Sequence, residues 1–152
     1  MKAVVQRVKN AEVSVEEKVT GRINSGLLVY IGVAQNDIEK DAEWMAEKIA
    51  NLRIFSDSQG KMNLSLLDLH TQGKEAAVLA ISQFTLLGEC VKGRRPFFGD
   101  AAEPEKADKL YQHFMNKIRE QGLPCEAGIF QAHMDVSYTN NGPVTILLDS
   151  PN

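Results

Sequence analysis

The chain has 152 residues, of which 43% are hydrophobic and 24% are charged, which is typical of one ordinary globular domain and excludes a disordered or fibrous protein. Its formal net charge of −3 excludes a generally basic nucleic-acid coat, so any contact with nucleic acid must be local. No repeat and no long linker rich in Pro, Gly or Ser divides the chain. We therefore expect a single domain over residues 1–152.

Cysteine usage and hydropathy indicate a cytoplasmic location. Cys90 and Cys125 are far apart in the sequence and form neither a zinc-ligand spacing nor a disulfide framework. The longest apolar run, residues 27–34, is too short to span a membrane. Gln6 and Arg7 interrupt the first apolar residues, where a signal peptide needs a continuous core. We expect a cytoplasmic protein without a membrane segment.

The first third of the chain is predicted to form strands at residues 2–8, 12–15, 19–24 and 27–33, because apolar residues alternate there and glycines separate the runs. The runs follow one another too closely for crossover helices to lie between them. These strands should therefore pair as antiparallel neighbours.

The middle of the chain changes its periodicity. Residues 38–52 carry apolar side chains at steps of four and three, which predicts an amphipathic helix with Asp37 as its N-cap. Residues 64–69 suit a short second helix, and the apolar run at residues 76–81 suits a buried strand.

The last third is predicted to contain a long helix and two strands. The helix begins near Pro104 and stops at Gly122. Residues 134–138 alternate and residues 144–148 are β-branched or leucine, with a turn signal at residues 141–142 between them. The whole pattern predicts an α+β fold with a mainly antiparallel, barrel-like sheet and two long helices.

The first segment that could carry chemistry is Ser82-Gln83-Phe84-Thr85-Leu86, where a buried strand ends in polar side chains. Ser82 or Thr85 could act as a nucleophile only beside a base, so folding would have to bring one of the three histidines close. A strand end whose hydroxyl groups bond to nearby backbone is the simpler interpretation, and the motif alone favours it.

The second segment, residues 92–99, places Lys92, Arg94 and Arg95 beside two phenylalanines in an irregular loop. Phosphate contact combined with base stacking would use such a set. A solvated loop with Phe97 or Phe98 in the core explains the same residues equally well.

The third segment contains Gly142-Pro143, between two predicted strands. Its spacing favours a hairpin turn. An X-Pro bond also adopts the cis form at modest cost, and a cis bond would point two neighbouring carbonyl groups nearly the same way. Such a pair of oxygens would accept hydrogen bonds from an ammonium group.

Several common site motifs are absent from the sequence. It contains no phosphate-binding glycine loop, no His-Glu-x-x-His and no Gly-x-Ser-x-Gly, which removes the usual nucleotide, metalloprotease and serine-hydrolase interpretations. No set of metal ligands is recognisable either. We expect no cofactor and no metal, and activity that persists in a chelator.

Five segments, taken together and in order, resemble the D-aminoacyl-tRNA deacylase family over essentially the whole chain. They are residues 1–8, 26–29, 82–86, 92–96 and 141–145. The resemblance implies a homodimeric hydrolase that cleaves the ester joining a D-amino acid to the 3′ end of tRNA. It also implies glycyl-tRNA mischarged on tRNA(Ala) as a substrate.

The resemblance also implies roles for individual residues. Gly142 and Pro143 would reach through a cis bond from one subunit into the active site of the other, hold the α-amino group and exclude an L side chain. Arg7 would fix the orientation of that pair. Such a site accepts many side chains, so it must select at the α-carbon with atoms that cannot move aside.

The implied catalytic residues are Ser82, Gln83, Phe84 and Thr85, where backbone N–H groups would stabilise the oxyanion. We expect Thr85 to position groups rather than attack, because no paired base is visible in the sequence, and the ribose 2′-hydroxyl to assist. Contact with tRNA would fall to the three cations of the second segment, Lys92, Arg94 and Arg95.

Four positions depart from the family pattern: Phe97, Gln131, His133 and Asn141. They bear on the local shape near Met134 and on acceptor-stem contact, and His133 would add a pH dependence.

Two other functions fit parts of the pattern. One is a dimer that binds nucleic acid through residues 92–98 without catalysis. The other is a related deacylase whose main substrate is a mischarged glycyl or L-alanyl ester.

Overall fold

The computed structural model describes residues 1–151, which form a curved six-stranded sheet with helices packed on one face and a separate two-stranded sheet. Its elements are β1 Lys2–Val15, β2 Lys18–Ile23, β3 Gly26–Gly32, α1 Glu39–Asn51, β4 Phe55–Ser56, β5 Met62–Leu64, α2 Leu66–Thr71, β6 Ala77–Ser82, a 3₁₀ helix Phe84–Leu87, α3 Pro104–Glu120, β7 Cys125–Ala127 and β8 Asp135–Asp149. Within this part of the chain no helix is both long and apolar enough to cross a membrane.

Strand β1 organises the sheet. It pairs antiparallel with β8 along nearly its whole length, and antiparallel with β3 and then β2 along its other edge. Val5, for example, lies between Val29 and Ile146. The predicted antiparallel pairing is confirmed for β1 with β2 and for β1 with β3, whereas β2 and β3 are not neighbours.

The other half of the sheet is parallel. Strand β6 pairs parallel with β3, and β7 pairs parallel with β6. Parallel neighbours need a crossover connection, which α1 and α2 provide before β6 and α3 provides before β7. Strand β7 also packs against β2, so the sheet is nearly closed. The fold is thus α+β and barrel-like as predicted, but its sheet is mixed rather than mainly antiparallel.

Two apolar clusters lie on opposite faces of the sheet. The larger one joins α1 and α3 to Val5, Leu27 and Val29, all fully buried. Helix α3 contributes one apolar face to this cluster, including Phe114 and Ile118. The smaller cluster occupies the inside of the curve, with Val8 among its members.

The predicted break between residues 8 and 12 was wrong, since β1 runs unbroken through it. The pairing with β8 shifts between Val8 and Asn10, so the polar residues Lys9 and Asn10 lie at a bulge within the strand rather than in a loop.

The predicted start of the first long helix was also wrong by one position. Ile38 is its N-cap, and the Asp41 carboxylate accepts a hydrogen bond from the Ile38 N–H at 2.9 Å. Asp37 is instead buried, where its carboxylate accepts from the Met1 ammonium at 2.6 Å and from the Ala34 N–H at 2.6 Å.

The predicted hairpin at residues 141–142 does not exist. Strand β8 continues on both sides of it along β1, with Asn140 opposite Val8 and Thr145 opposite Gln6. Residues 141–144 are therefore an excursion from one strand, which we call the Gly-Pro bulge. Glycine and proline suit a bulge as well as a turn, so the local sequence did not distinguish them.

Candidate active site

A pocket of about 540 Å³ lies where β3 and β6 end and α3 begins. The residues that line it are Ile31, Val33, Ile81, Ser82, Gln83, Phe84, Ala101, Ala102, Pro104, Ala107, Phe130, Gln131, Ala132, His133, Met134 and Val136. Apolar side chains form most of the wall, and polar groups come from two segments only, residues 82–83 and 131–133. This is the usual character of a small-molecule site.

The first wall is the end of β6. Ser82 is in register with Ile31, and the Gln83 N–H donates to the Ile31 carbonyl at 2.7 Å before the chain leaves the sheet. The 3₁₀ helix begins at the next residue, Phe84. We call residues 82–87 the active-site turn.

The active-site turn brings the four predicted catalytic residues together at this wall. Ser82, Gln83 and Phe84 line the pocket, and Thr85 follows as an exposed residue. The Gln83 Nε2 donates to the Thr85 Oγ1 at 2.5 Å. The Thr85 hydroxyl is thus held by a neutral amide, which cannot act as the base that a threonine nucleophile requires.

The second wall is residues 130–134, just before β8. In the sequence, Gln131 and His133 stand out only as departures from the family pattern, and nothing there predicts that this segment belongs to the site. Gln131 has a φ of 63°, the left-handed region that glycine adopts most easily. Of the histidines, His133 lines the pocket, whereas His113 contacts Glu43 of α1 at 3.2 Å.

The third wall comes from the segment 99–102, whose Ala101 and Ala102 line the pocket, and no local pattern indicated that these two alanines belong to the site. The Ala102 N–H donates to the Val33 carbonyl at 2.9 Å, and the Gln35 N–H donates to the Asp100 carbonyl at 2.9 Å. These bonds attach the segment to the end of β3. Such pairing between distant irregular segments leaves no periodic signal in the sequence.

The predicted cations lie in a short hairpin, residues 89–97, beside the active-site turn. Glu89 and Phe97 exchange backbone hydrogen bonds of 2.8 and 2.9 Å that close it. Lys92, Arg94 and Arg95 are exposed, and none of the three forms an ion pair with another residue in the range 1–151. We call this segment the basic hairpin.

The Gly-Pro bulge is held by Arg7 from the opposite strand. The Arg7 Nε donates to the Asn141 carbonyl at 3.1 Å, and its Nη1 donates to the Ile54 carbonyl at 2.5 Å. The bond between Gly142 and Pro143 is cis, the isomer that the family resemblance implies, and both residues are exposed.

The Gly-Pro bulge lies outside the pocket of its own chain. The pocket is reached by β8 at Val136, and the strand from there to Gly142 extends about 20 Å at roughly 3.3 Å per residue. One chain therefore does not bring all of the predicted site residues together. The pocket and the Gly-Pro bulge are two separate surfaces of it.

No group of three or more His, Cys, Asp or Glu side chains with metal-binding geometry occurs among residues 1–151.

Comparison with known proteins identifies the family. The family model described as D-Tyr-tRNA(Tyr) deacylase matches residues 4–149. The chain belongs to this family. The deacylase family resemblance inferred from the five sequence segments is thereby confirmed.

Individual members of the deacylase family match over nearly their full length. A D-aminoacyl-tRNA deacylase of Geobacter sp. (strain M21) is 56% identical over 151 residues, which cover 99% of this chain and 98% of that protein. A D-aminoacyl-tRNA deacylase of Thermotoga petrophila is 54% identical over 150 residues, which cover 99% and 97%.

Two solved structures are also similar. One, of a c-Myc DNA Unwinding Element Binding Protein, has a TM-score of 0.89 and 40% identity and covers 100% of both chains. The other, of a probable eukaryotic D-amino acid tRNA deacylase, has a TM-score of 0.81 and 18% identity and covers 97% of both chains. The second shows that the fold is shared.

Proposed function

We propose that this protein hydrolyses the ester bond of D-aminoacyl-tRNA to give a D-amino acid and tRNA, and leaves L-aminoacyl-tRNA intact. Glycyl-tRNA mischarged on tRNA(Ala) is a further substrate, since glycine has no Cβ to reject. The observation that carries the proposal is the full-length match to the deacylase family, in a chain whose family-like residues 82–84 line a pocket. We place this activity in the cytoplasm.

The chemistry assigned to the active-site turn is stabilisation of an oxyanion. The turns of a 3₁₀ helix leave its first N–H groups without partners inside the helix, and here these belong to Phe84 and Thr85. Water attacks the ester carbonyl, the carbonyl oxygen gains negative charge, and these two N–H groups bind it. Collapse of the tetrahedral intermediate breaks the bond to the 3′ oxygen of tRNA, which leaves with a proton.

Activation of the water is assigned to the substrate. The Thr85 hydroxyl accepts a hydrogen bond from Gln83, so we give Thr85 a positioning role. The ribose 2′-hydroxyl of the terminal nucleotide lies next to the scissile ester in any bound substrate. It is therefore the group we propose to orient the attacking water.

Selection against L-amino acids is assigned to the Gly-Pro bulge of a second subunit. Its backbone carbonyls would bind the substrate's α-amino group, and its fixed atoms would occupy the space that an L side chain needs. Two features support this role. The bulge is exposed and lies apart from the pocket of its own chain. Arg7 donates hydrogen bonds to the Asn141 carbonyl of the bulge and to the Ile54 carbonyl, and so fixes the bulge to the rest of the chain.

A homodimer is supported by an apolar row on the sheet face opposite α1 and α3, which runs from the exposed Leu147 through the half-buried Val4 and Tyr30 to the buried Ile81. Val4 pairs with Leu147 on one side and Tyr30 on the other, and Tyr30 pairs with Ile81, which lines the pocket. Leu147 is 74% exposed. Burial and the neighbouring Tyr138 raise the pKa of Tyr30 to about 12. A second copy on this row would reach the pocket mouth.

The central test measures hydrolysis of D-tyrosyl-tRNA and L-tyrosyl-tRNA by purified protein at catalytic and then stoichiometric concentration. We expect rapid release of D-tyrosine and survival of the L-ester. A D-ester that stays intact even at stoichiometric concentration would refute the proposed function.

The shared site is tested by mixing two inactive variants, Gln83→Ala and Gly142→Ala. If each site uses the pocket of one chain and the bulge of the other, mixed dimers contain one intact site, and refolding the variants together restores roughly a quarter of the original activity. If each chain forms its own site, the mixture stays inactive. Sedimentation of the unchanged protein as a monomer would also exclude the shared site.

A second candidate function is binding of nucleic acid without catalysis. It is favoured by the likeness to the 40% identical protein, whose name describes binding to a DNA unwinding element, and by the exposed cations of the basic hairpin. Binding of uncharged tRNA or duplex DNA, combined with no ester cleavage, would favour this function over the first.

A further inference from the structure

The two residues that flank the basic hairpin, Gly88 and Phe98, both contact the active-site turn. Along the chain, the Gly88 N–H donates to the Thr85 carbonyl at 3.0 Å. Across space, the Phe98 ring meets the Phe84 ring edge-on, with centroids 5.2 Å apart and planes at 68°. Gly88 leaves room for this contact, because a Cβ there would lie 2.8 Å from the Phe98 ring.

The neighbouring phenylalanine makes no such connection. Phe97 is 64% exposed, and its ring lies over Gly99, where a Cβ would be 2.2 Å away. Its backbone closes the basic hairpin through Glu89, a function that does not need the ring. Of these two adjacent phenylalanines, Phe98 is therefore the one whose ring contacts the active-site turn.

We propose that Phe98 is a positioning residue, which couples phosphate binding on the basic hairpin to the geometry of the active-site turn. This inference rests on the proposed function, because it assigns the hairpin to tRNA and the turn to the oxyanion. The inference adds Phe98, which lies outside both the basic hairpin and the active-site turn, and it explains why these two segments lie side by side.

The coupling follows from how the hairpin is held. Only the Glu89–Phe97 pair closes it, and its three cations are free to follow a ligand. A bound phosphate chain fixes the hairpin, and Phe98, which follows its last residue, then holds Phe84 from the side. Phe84 lines the pocket and carries one of the two N–H groups assigned to the oxyanion. An edge-to-face pair of this kind corresponds to about two- to tenfold in a rate constant.

The experiment compares Phe98→Leu with its matched control, Phe97→Leu, on two esters. One is D-tyrosyl-tRNA, and the other is D-tyrosyl-adenosine, which has no phosphate chain for the hairpin to bind. We expect Phe98→Leu to lower kcat for the tRNA ester about two- to tenfold with little change in KM, and to leave the adenosine ester unaffected. In Phe97→Leu, the ratio of the two kcat values should equal that of the unchanged protein.

A second measurement separates coupling from simple support of the fold. Replacing Arg94 and Arg95 by alanine should lower kcat and raise KM for the tRNA ester in the unchanged background, and raise only KM when Phe98 is already leucine. Phe98→Met, which keeps apolar volume without a ring, serves the same comparison if the leucine variant unfolds.

Equal loss on both esters in the Phe98 variants, or the same change of ratio in Phe97→Leu, would overturn the coupling and leave the proposed function intact. An unchanged protein that cleaves neither ester would overturn the proposed function itself, and this inference with it.

Discussion

The Gly-Pro bulge and the basic hairpin are both irregular, both contain glycine and proline, and both are assigned to the substrate, yet they are built in opposite ways. The bulge is held from the side by Arg7 and from within by Asn140, whose Oδ1 accepts from the Val144 N–H at 3.3 Å. The hairpin is closed by one backbone pair and projects its cations into solvent.

The difference reflects what each segment must recognise. The enantiomers of an amino acid differ in where one Cβ lies, so a surface that rejects one of them must not yield by even a fraction of an ångström. Attraction between a cation and a phosphate acts over about 8 Å at physiological salt and tolerates movement. Rigid backbone suits the first task, and long flexible side chains suit the second.

The largest effect is expected from a substitution in the rigid Gly-Pro bulge. Gly142→Ala should lower the rate of D-tyrosyl-tRNA hydrolysis on the order of 100-fold, because the added Cβ would displace the bulge and a substrate misplaced by about 1 Å reacts more slowly by that factor. The position has a φ of 124°, and the new Cβ would lie 2.7 Å from the Arg7 Nη2. Single-turnover kinetics would measure the rate, and circular dichroism would check the fold.

The matched control is Gly60→Ala, since Gly60 also has a positive φ, 76°, but has nothing within 4 Å of an added Cβ. This variant should lose some thermal stability and keep the hydrolysis rate. Similar rates in the two variants would show that the geometry of the Gly-Pro bulge is unimportant.

A smaller effect is expected from Arg7→Lys, which keeps the charge but cannot span two carbonyls with one planar group. Loss of a charged hydrogen bond predicts about a tenfold to hundredfold fall in kcat for the D-ester. The ratio of the L-tyrosyl-tRNA rate to the D-tyrosyl-tRNA rate should rise. Arg22→Lys is the control, because Arg22 pairs with Glu12 on the surface. Unchanged selectivity in the Arg7 variant would count against its assigned role.

The smallest effect belongs to the flexible region. Replacing Lys92, Arg94 and Arg95 by alanine should raise KM for tRNA about tenfold and reduce its salt dependence by about one unit of log–log slope per cation. Selectivity for the D-ester should not change. Titration of KM against salt would measure this, with the exposed Lys74→Ala as control, and a fall in selectivity would show that the two regions are not independent.

Features that depend on local sequence were predictable. Helix α3 follows from its proline start, its apolar face and its glycine stop, all within one stretch of chain. The active-site turn was also recognisable, because polar side chains directly follow the buried strand β6.

Features that depend on distant pairing were not predictable from the sequence. Whether residues 141–144 reverse the chain is decided by β1, which pairs with β8 on both sides of them. The pocket wall at residues 99–102 is positioned by the end of β3, and the wall at residues 130–134 immediately precedes β8. In each case the partner lies far away in the chain, and the segment itself carries only loop-like residues.

The Gly-Pro bulge also constrains how this chain can change in length. Strand β8 uses five residues, from Asn140 to Thr145, to cover the two residues of β1 that separate Val8 from Gln6. Beyond the bulge, Ile146 packs on the cluster that the sheet shares with the helices. Inserting or deleting one residue there would reverse which side chains of the remaining strand face that cluster. Leu147 would then face the helices and Ile146 the opposite side of the sheet, so we expect the bulge to tolerate insertions and deletions less than the basic hairpin does.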